Sequence, residues 1–155
     1  MADVTIRPAT LEDAADLADR LRAADRAEVW ASHRVTPIQA LETSVRLSCG
    51  DAWAGLADGV LVCLWGVVPL SLVSRIGSPW LLASDDLERH QVPFLRRCRG
   101  MVDQMQAPYR LLTNHVDARN RLSIRWLRWL GFEIDPAAPW GPDGLPFHRF
   151  ERRAP

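Results

Sequence analysis

The chain has 155 residues, 48% hydrophobic and 25% charged, and its 19 basic and 19 acidic side chains leave no formal net charge. That balance suits one soluble globular domain with its own core and excludes a disordered chain. The zero net charge excludes a global field that would gather nucleic acid or acidic partners.

Cys49, Cys63 and Cys98 stand far apart with no CxxC or Cys/His spacing, so neither a disulfide framework nor a metal site is expected. The first eight residues hold no apolar leader, and the longest apolar stretch, residues 60–72, is too short to span a bilayer. The expectation is a cytoplasmic protein with reduced thiols, no membrane segment and no membrane partner. All 19 basic residues are arginine, so no lysine can serve as a Schiff-base nucleophile or a self-acetylation site.

Residues 4–7 predict a short strand ended by Pro8. Thr10 then offers an N-cap, with Asp13 in the place of a capping-box glutamate, and Leu11, Ala14, Leu17, Ala18 and Leu21 recur at helical spacing. Residues 10–28 therefore read as one amphipathic helix. Thr36-Pro37 starts a second helix, closed by Gly50. Asp58-Gly59 between two apolar runs predicts a hairpin. Gly77-Ser78-Pro79 punctuates the chain before a buried strand at 80–83, and helical spacing returns over 93–105. A strand at 109–116, a helix at 120–130 closed by Gly131 and a strand from Phe132 follow. A Pro/Gly-rich loop, 135–146, leads to a last strand at 147–151. The predicted order is β-α-α-β-β-β-α-β-α-β-β: an α/β (α+β) domain over residues 1–155, with one mixed, mostly antiparallel sheet and about four helices.

The segment Asn120-Arg-Leu-Ser123-Ile124-Arg-Trp-Leu127-Arg-Trp-Leu130-Gly131-Phe132 is similar to the N-x-x-A-I-x-x-Y-x-x-L-G-F segment of the GNAT N-acetyltransferases, with every spacing kept. The Asp58-Gly59 hairpin with Trp65-Gly66-Val67, and the opening Ile6-Arg7-Pro8-Ala9 with Asp13, resemble the same family in the same order. A narrower resemblance, to small GNAT-like proteins of short-tailed bacteriophages including an internal virion protein, lies in residues 77–84, 112–120 and 124–132 and in Asp25-Arg-Ala-Glu28. It implies a phage or prophage origin, a virion-associated location, and a phage structural or host protein as partner. A second copy pairing through the C-terminal strands is also open.

The family resemblance implies acetyl-CoA as cofactor, with Leu82, Ala83 and Ser84 of the fourth strand and Asn120 in contact with it. It also implies a base and an acid beside the gap between the fourth and fifth strands. Glu28, His115 and Asp85 are the candidate catalytic residues. Two departures stand against this chemistry. The family's glycine-rich phosphate loop, Q/R-x-x-G-x-G/A, is replaced by Ser84-Asp-Asp-Leu-Glu-Arg-His-Gln-Val-Pro-Phe94, which has no glycine and three carboxylates. The family tyrosine aligns with Leu127, which carries no ionisable proton. Two readings follow: a catalytically degenerate interaction protein, or an acyltransferase with an unusual way of holding its donor. An exposed apolar patch containing Trp30 or Trp126 would favour the first. A deep cleft faced by Glu28 or His115 would favour the second. Arg121, Arg125 and Arg128 share a helix face that reads as solvated, so no strong nucleic-acid signal is present.

Overall fold

The computed structural model describes residues 2–155. Strand β1 (Val4–Pro8) leads into helices α1 (Leu11–Ala18), α2 (Ala23–His33) and α3 (Pro37–Leu47). Strands β2 (Ala52–Ala57), β3 (Val60–Ser71) and β4 (Ile76–Ala83) follow, then helices α4 (Asp86–Arg89) and α5 (Gln91–Gln106). Strand β5 (Leu111–Asp117), helix α6 (Arg121–Trp129) and strands β6 (Glu133–Ile134), β7 (Ala138–Trp140) and β8 (Leu145–Arg153) complete the chain. The single sheet runs β1-β2-β3-β4-β5-β8-β6, with β7 also on β8. Only the β4–β5 pair is parallel.

The pleat of β3 divides the core. Leu64 packs with Leu17 and Leu41 of α1 and α3 on one face of the sheet. Its neighbours Cys63 and Trp65 pack towards Phe94 of α5 and Trp126 of α6 on the other. Both expected caps form: Thr10 with Asp13, and Thr36 with Gln39, each make reciprocal capping-box bonds. Asp58 and Gly59 take φ of 49° and 79°, the left-handed pair that a two-residue hairpin turn requires.

Four expectations need correction. The single helix expected at 10–28 is two helices. The chain leaves α1 after Ala18, Leu21 forms a bridge with Ser84, and the Arg22 N–H donates to Ala83 O at 2.8 Å. Arg26 then donates to the carbonyls of Ala18 and Leu21, both at 3.1 Å, which seals the break. The described residues form six helices rather than about four, because of this break and because a one-turn α4 precedes α5. The loop at 135–146 contains β7. Gly77-Ser78-Pro79 lies inside β4 rather than before it.

The last correction locates the site. β4 and β5 pair only at Ile76↔Leu111 and Gly77↔Leu112, then diverge. Pro79, which has no N–H to give a ladder, stands where the pairing stops.

Gly66 is held to a bare backbone by its surroundings. A Cβ there would lie 2.5 Å from Asp51 O and 2.9 Å from Trp80 Nε1, the group that donates to Ser48 Oγ. Gly66→Ala is expected to cost about 1–3 kcal/mol through overpacking, read as a lower urea midpoint at constant slope.

Candidate functional site

Where β4 and β5 part, backbone groups face the gap with no strand to pair with, and buried groups of this kind need partners. The chain supplies them from its own side chains. Asn114 Nδ2 donates to Pro79 O at 2.8 Å, and Asn114 Oδ1 accepts the His115 N–H at 2.8 Å. Higher up, Asp25 Oδ2 accepts the Ala83 N–H at 2.9 Å. Opposite it, Glu28 Oε1 accepts the Asp117 N–H at 2.7 Å. The break between α1 and α2 makes this geometry: it lays Arg22 along the end of β4, so the first turns of α2 lie across the fork.

Arg22, Asp25 and Asn120 are almost wholly buried there, at 4%, 1% and 2% exposure. Arg22 grips Asp25 through two bonds, Nη2 to Oδ1 at 2.7 Å and Nε to Oδ2 at 3.2 Å. Asn120 accepts from Arg22 Nη2 at 3.3 Å and donates to Asp25 Oδ1 at 3.2 Å and Glu28 Oε1 at 3.5 Å. Its Oδ1 also caps α6 through the Ser123 N–H. One cluster thus ties α2, the end of β4, the end of β5 and the start of α6.

Below the cluster is a predominantly apolar cavity of about 700 Å³ that passes between β4 and β5. Glu28, His33, His115 and Trp140 line it on one side of the sheet, and Cys98, Met101 and Leu127 on the other. Burial, with Asp25 nearby, pushes the Glu28 carboxyl up to about 8, although the Asp117 N–H and Asn120 favour its charge. Burial and then Arg149 lower the His115 pKa. The His115 ring stacks on Trp140 with centroids 4.1 Å apart and planes 11° from parallel, and Trp140 meets His33 edge-on at 5.7 Å. A carboxyl that changes charge near neutrality, on the wall of the same cavity as an imidazole, can hold or accept a proton from a bound group.

The candidate residues separate accordingly. Glu28, His115 and Leu82 line the cavity. Asn120 sits in the buried cluster above it. Ala83 and Ser84 do not line the cavity; Ala83 is engaged by Asp25 and Arg22, and the Ser84 N–H by Val62 O. Asp85 stands at the start of α4, away from the cavity, in a turn where Ser84 Oγ accepts the Asp86 N–H at 3.3 Å. Trp126 is buried, whereas Trp30 is 51% exposed. Among the described residues no His, Cys, Asp and Glu group is arranged to hold a metal, and no helix is long and apolar enough to cross a membrane.

Sequence reading did not assign Arg22, Asn114 or Trp140 to the site. Arg22, Asp25 and Glu28 follow one another at three-residue intervals, which places two acids and their counter-ion along one helix face. That spacing is the local signal that could have found the cluster.

Asp25→Ala would leave the buried Arg22 guanidinium with a 4.0 Å pair to the exposed Glu88 and a bond to Asn120, and is expected to cost about 3 kcal/mol in denaturant unfolding. Glu28 gives a pH signature. Its folded pKa of about 8 lies above its ordinary 4.5, so the native state holds the extra proton between these values. Its contribution to stability is full below pH 4.5 and lost as pH rises through 8. Glu28→Gln should remove that part of the decline, measured as the difference between the two pH–stability curves.

No family model matches the chain, and no curated protein matches it. Solved structures do. A GNAT-family acetyltransferase from Streptococcus pneumoniae superposes with a TM-score of 0.67 at 13% identity, over 98% of this chain and 100% of its own. A ribosomal-protein-alanine N-acetyltransferase from Brucella melitensis gives 0.70 at 14% identity, over 97% and 99%. A GNAT phosphinothricin acetyltransferase from Sinorhizobium meliloti, in complex with acetyl-CoA, gives 0.68 at 15% identity, over 97% and 88%. The chain therefore has the fold of the GNAT acetyltransferase superfamily.

Proposed function

We infer that this GNAT-fold protein does not run ordinary acetyl-CoA-dependent transfer and acts instead by binding another protein. The observation that carries this reading is the occupied fork. Asp25 and Glu28 already hold the N–H groups of Ala83 and Asp117, which a cofactor arm inserted between β4 and β5 would need. The turn after β4 adds to it, because Asp85, Asp86 and Glu88 stand where a pyrophosphate would have to sit. The residues present thus do not fit the diphosphate part of acetyl-CoA. The resemblance to short-tailed phage proteins supports a virion or assembly component, or a host-directed binder, as the form of that role.

One observation favours a second reading, an acyltransferase acting on an amine. The cavity crosses the sheet with Glu28 and His115 on its wall, the arrangement expected of an enzyme site. In that case Glu28, charged above pH 8, would take the proton of the amine as its nitrogen bonds to the acyl carbon, while the donor's C–S bond breaks and its sulfur leaves as the thiolate; Leu127 and the apolar wall would hold the donor arm. A related fold solved with acetyl-CoA makes that cofactor the first donor to try.

Calorimetry with acetyl-CoA at near-physiological salt separates the two. The interaction reading expects no heat of binding at millimolar cofactor. Micromolar binding that is lost when cavity-lining Leu127 is replaced by tryptophan would overturn it and revive the enzyme reading, to be followed by a screen of amine acceptors.

A further inference from the structure

The turn between β3 and β4 carries side chains that turns rarely carry. Leu72 and Val73 lie in it, 80% and 97% exposed, and Leu70, next to last in β3, is 58% exposed. Turn positions favour Gly, Asn, Asp, Ser and Pro, whose backbone freedom or short polar side chains satisfy the bend. Ser71 meets that need here, since its Oγ accepts the Ser74 N–H at 3.0 Å. The leucines and the valine therefore contribute nothing to the turn. One exposed apolar residue is ordinary; three within four positions, across the end of β3 and the protruding turn, form a patch.

Directly behind the tip, Arg75, Arg110 and Arg153 line a shallow depression of about 550 Å³ that no acidic side chain lines. Backbone bonds gather them: the Arg110 N–H donates to Arg75 O at 2.7 Å, and the Ala154 N–H to Arg110 O at 2.9 Å. Arg75 Nε is fixed on Pro108 O at 3.1 Å, and Arg153 Nη2 reaches Glu151 Oε1 at 3.3 Å. The Arg110 guanidinium has no ion-pair partner among the described residues. A chain with no net charge thus concentrates three cations behind an aliphatic wedge at one end of its sheet.

We propose that this end of the sheet docks on an anionic phospholipid surface, the tip entering the headgroup–acyl boundary and the guanidiniums pairing with lipid phosphates. Convexity favours a bilayer over a folded partner. A protruding tip needs a matching groove on a protein, whereas a fluid headgroup layer yields to it. Arginine forks suit phosphate oxygens, and their aliphatic stems can lie along apolar surface while the heads stay at the interface. Combining apolar insertion with attraction to anionic lipid is how peripheral segments hold a membrane without crossing it. The contact departs from the expectation of no membrane partner, because only spans and overall charge were legible in sequence. It is independent of how the cavity is read. Leu72, Val73, Arg75, Arg110 and Arg153 do not line the cavity, although their neighbour Leu70 does.

Co-sedimentation with phosphatidylcholine vesicles, with and without phosphatidylglycerol, tests this. Binding is expected to the anionic vesicles, at least about tenfold weaker to the neutral ones, and lost near 1 M salt, where screening shortens to about 3 Å. Val73→Asp and Arg110→Glu should each weaken binding about tenfold with unchanged thermal melting, since both positions are open to solvent. Absence of binding, equal binding to both vesicle types, or binding indifferent to Val73→Asp would overturn the proposal. So would competition by millimolar inorganic phosphate, which would mark a free-anion site, or capture by an acidic protein without vesicle binding.

Discussion

The two-bond grip of Arg22 on Asp25 is the contact on which the top of this structure depends. It is buried, it lies between β4 and β5, and every neighbour in the cluster takes its position from it. Asp25 uses its second oxygen on the Ala83 N–H, Asn120 is held between Asp25 and Arg22, and Glu28 is carried one helical turn on to reach the Asp117 N–H. An ion pair this deep is a weak source of net stability, since desolvation offsets its attraction. Its effect is positional. It fixes where α2 begins, and so which groups close the fork in the sheet.

The same cluster sets the chemistry of the cavity beneath it. Burial, with Asp25 nearby, pushes the Glu28 carboxyl up to about 8. A gap between β4 and β5 is present, and Pro79 O and the N–H groups of Ala83, His115 and Asp117 on its edges are bound by the chain's own side chains. What remains open is an apolar passage with one titrating carboxyl and an imidazole stacked on Trp140.

Much of the fold was legible locally. Thr36-Pro37, Asp58-Gly59 and Gly131 are short-range signals whose physics is complete within a few residues, and each element they announced is present. The break after Ala18 was not legible, because Leu17, Ala18 and Leu21 keep helical spacing while the chain turns to meet Ser84. Gly77-Ser78-Pro79 misled for a related reason: residues that break an isolated strand are tolerated where the neighbouring strand is leaving. Glu28 and His115 could be singled out by type and approximate place. Their common cavity could not, because its walls come from α2, β4, β5, α5 and α6, and only pairing between distant segments brings these together. The exposed hairpin tip was not legible, since residues 60–72 stand out only as the longest apolar stretch and composition does not say which of them reach solvent.

The central claim is that the N–H groups of Ala83 and Asp117 belong to Asp25 and Glu28 and are closed to any cofactor. Native-state amide hydrogen exchange at these two positions, with and without millimolar coenzyme A, tests it most directly. The account predicts that both amides exchange slowly and at rates the cofactor does not change. Fast exchange at either position, or protection that appears only when coenzyme A is added, would contradict it.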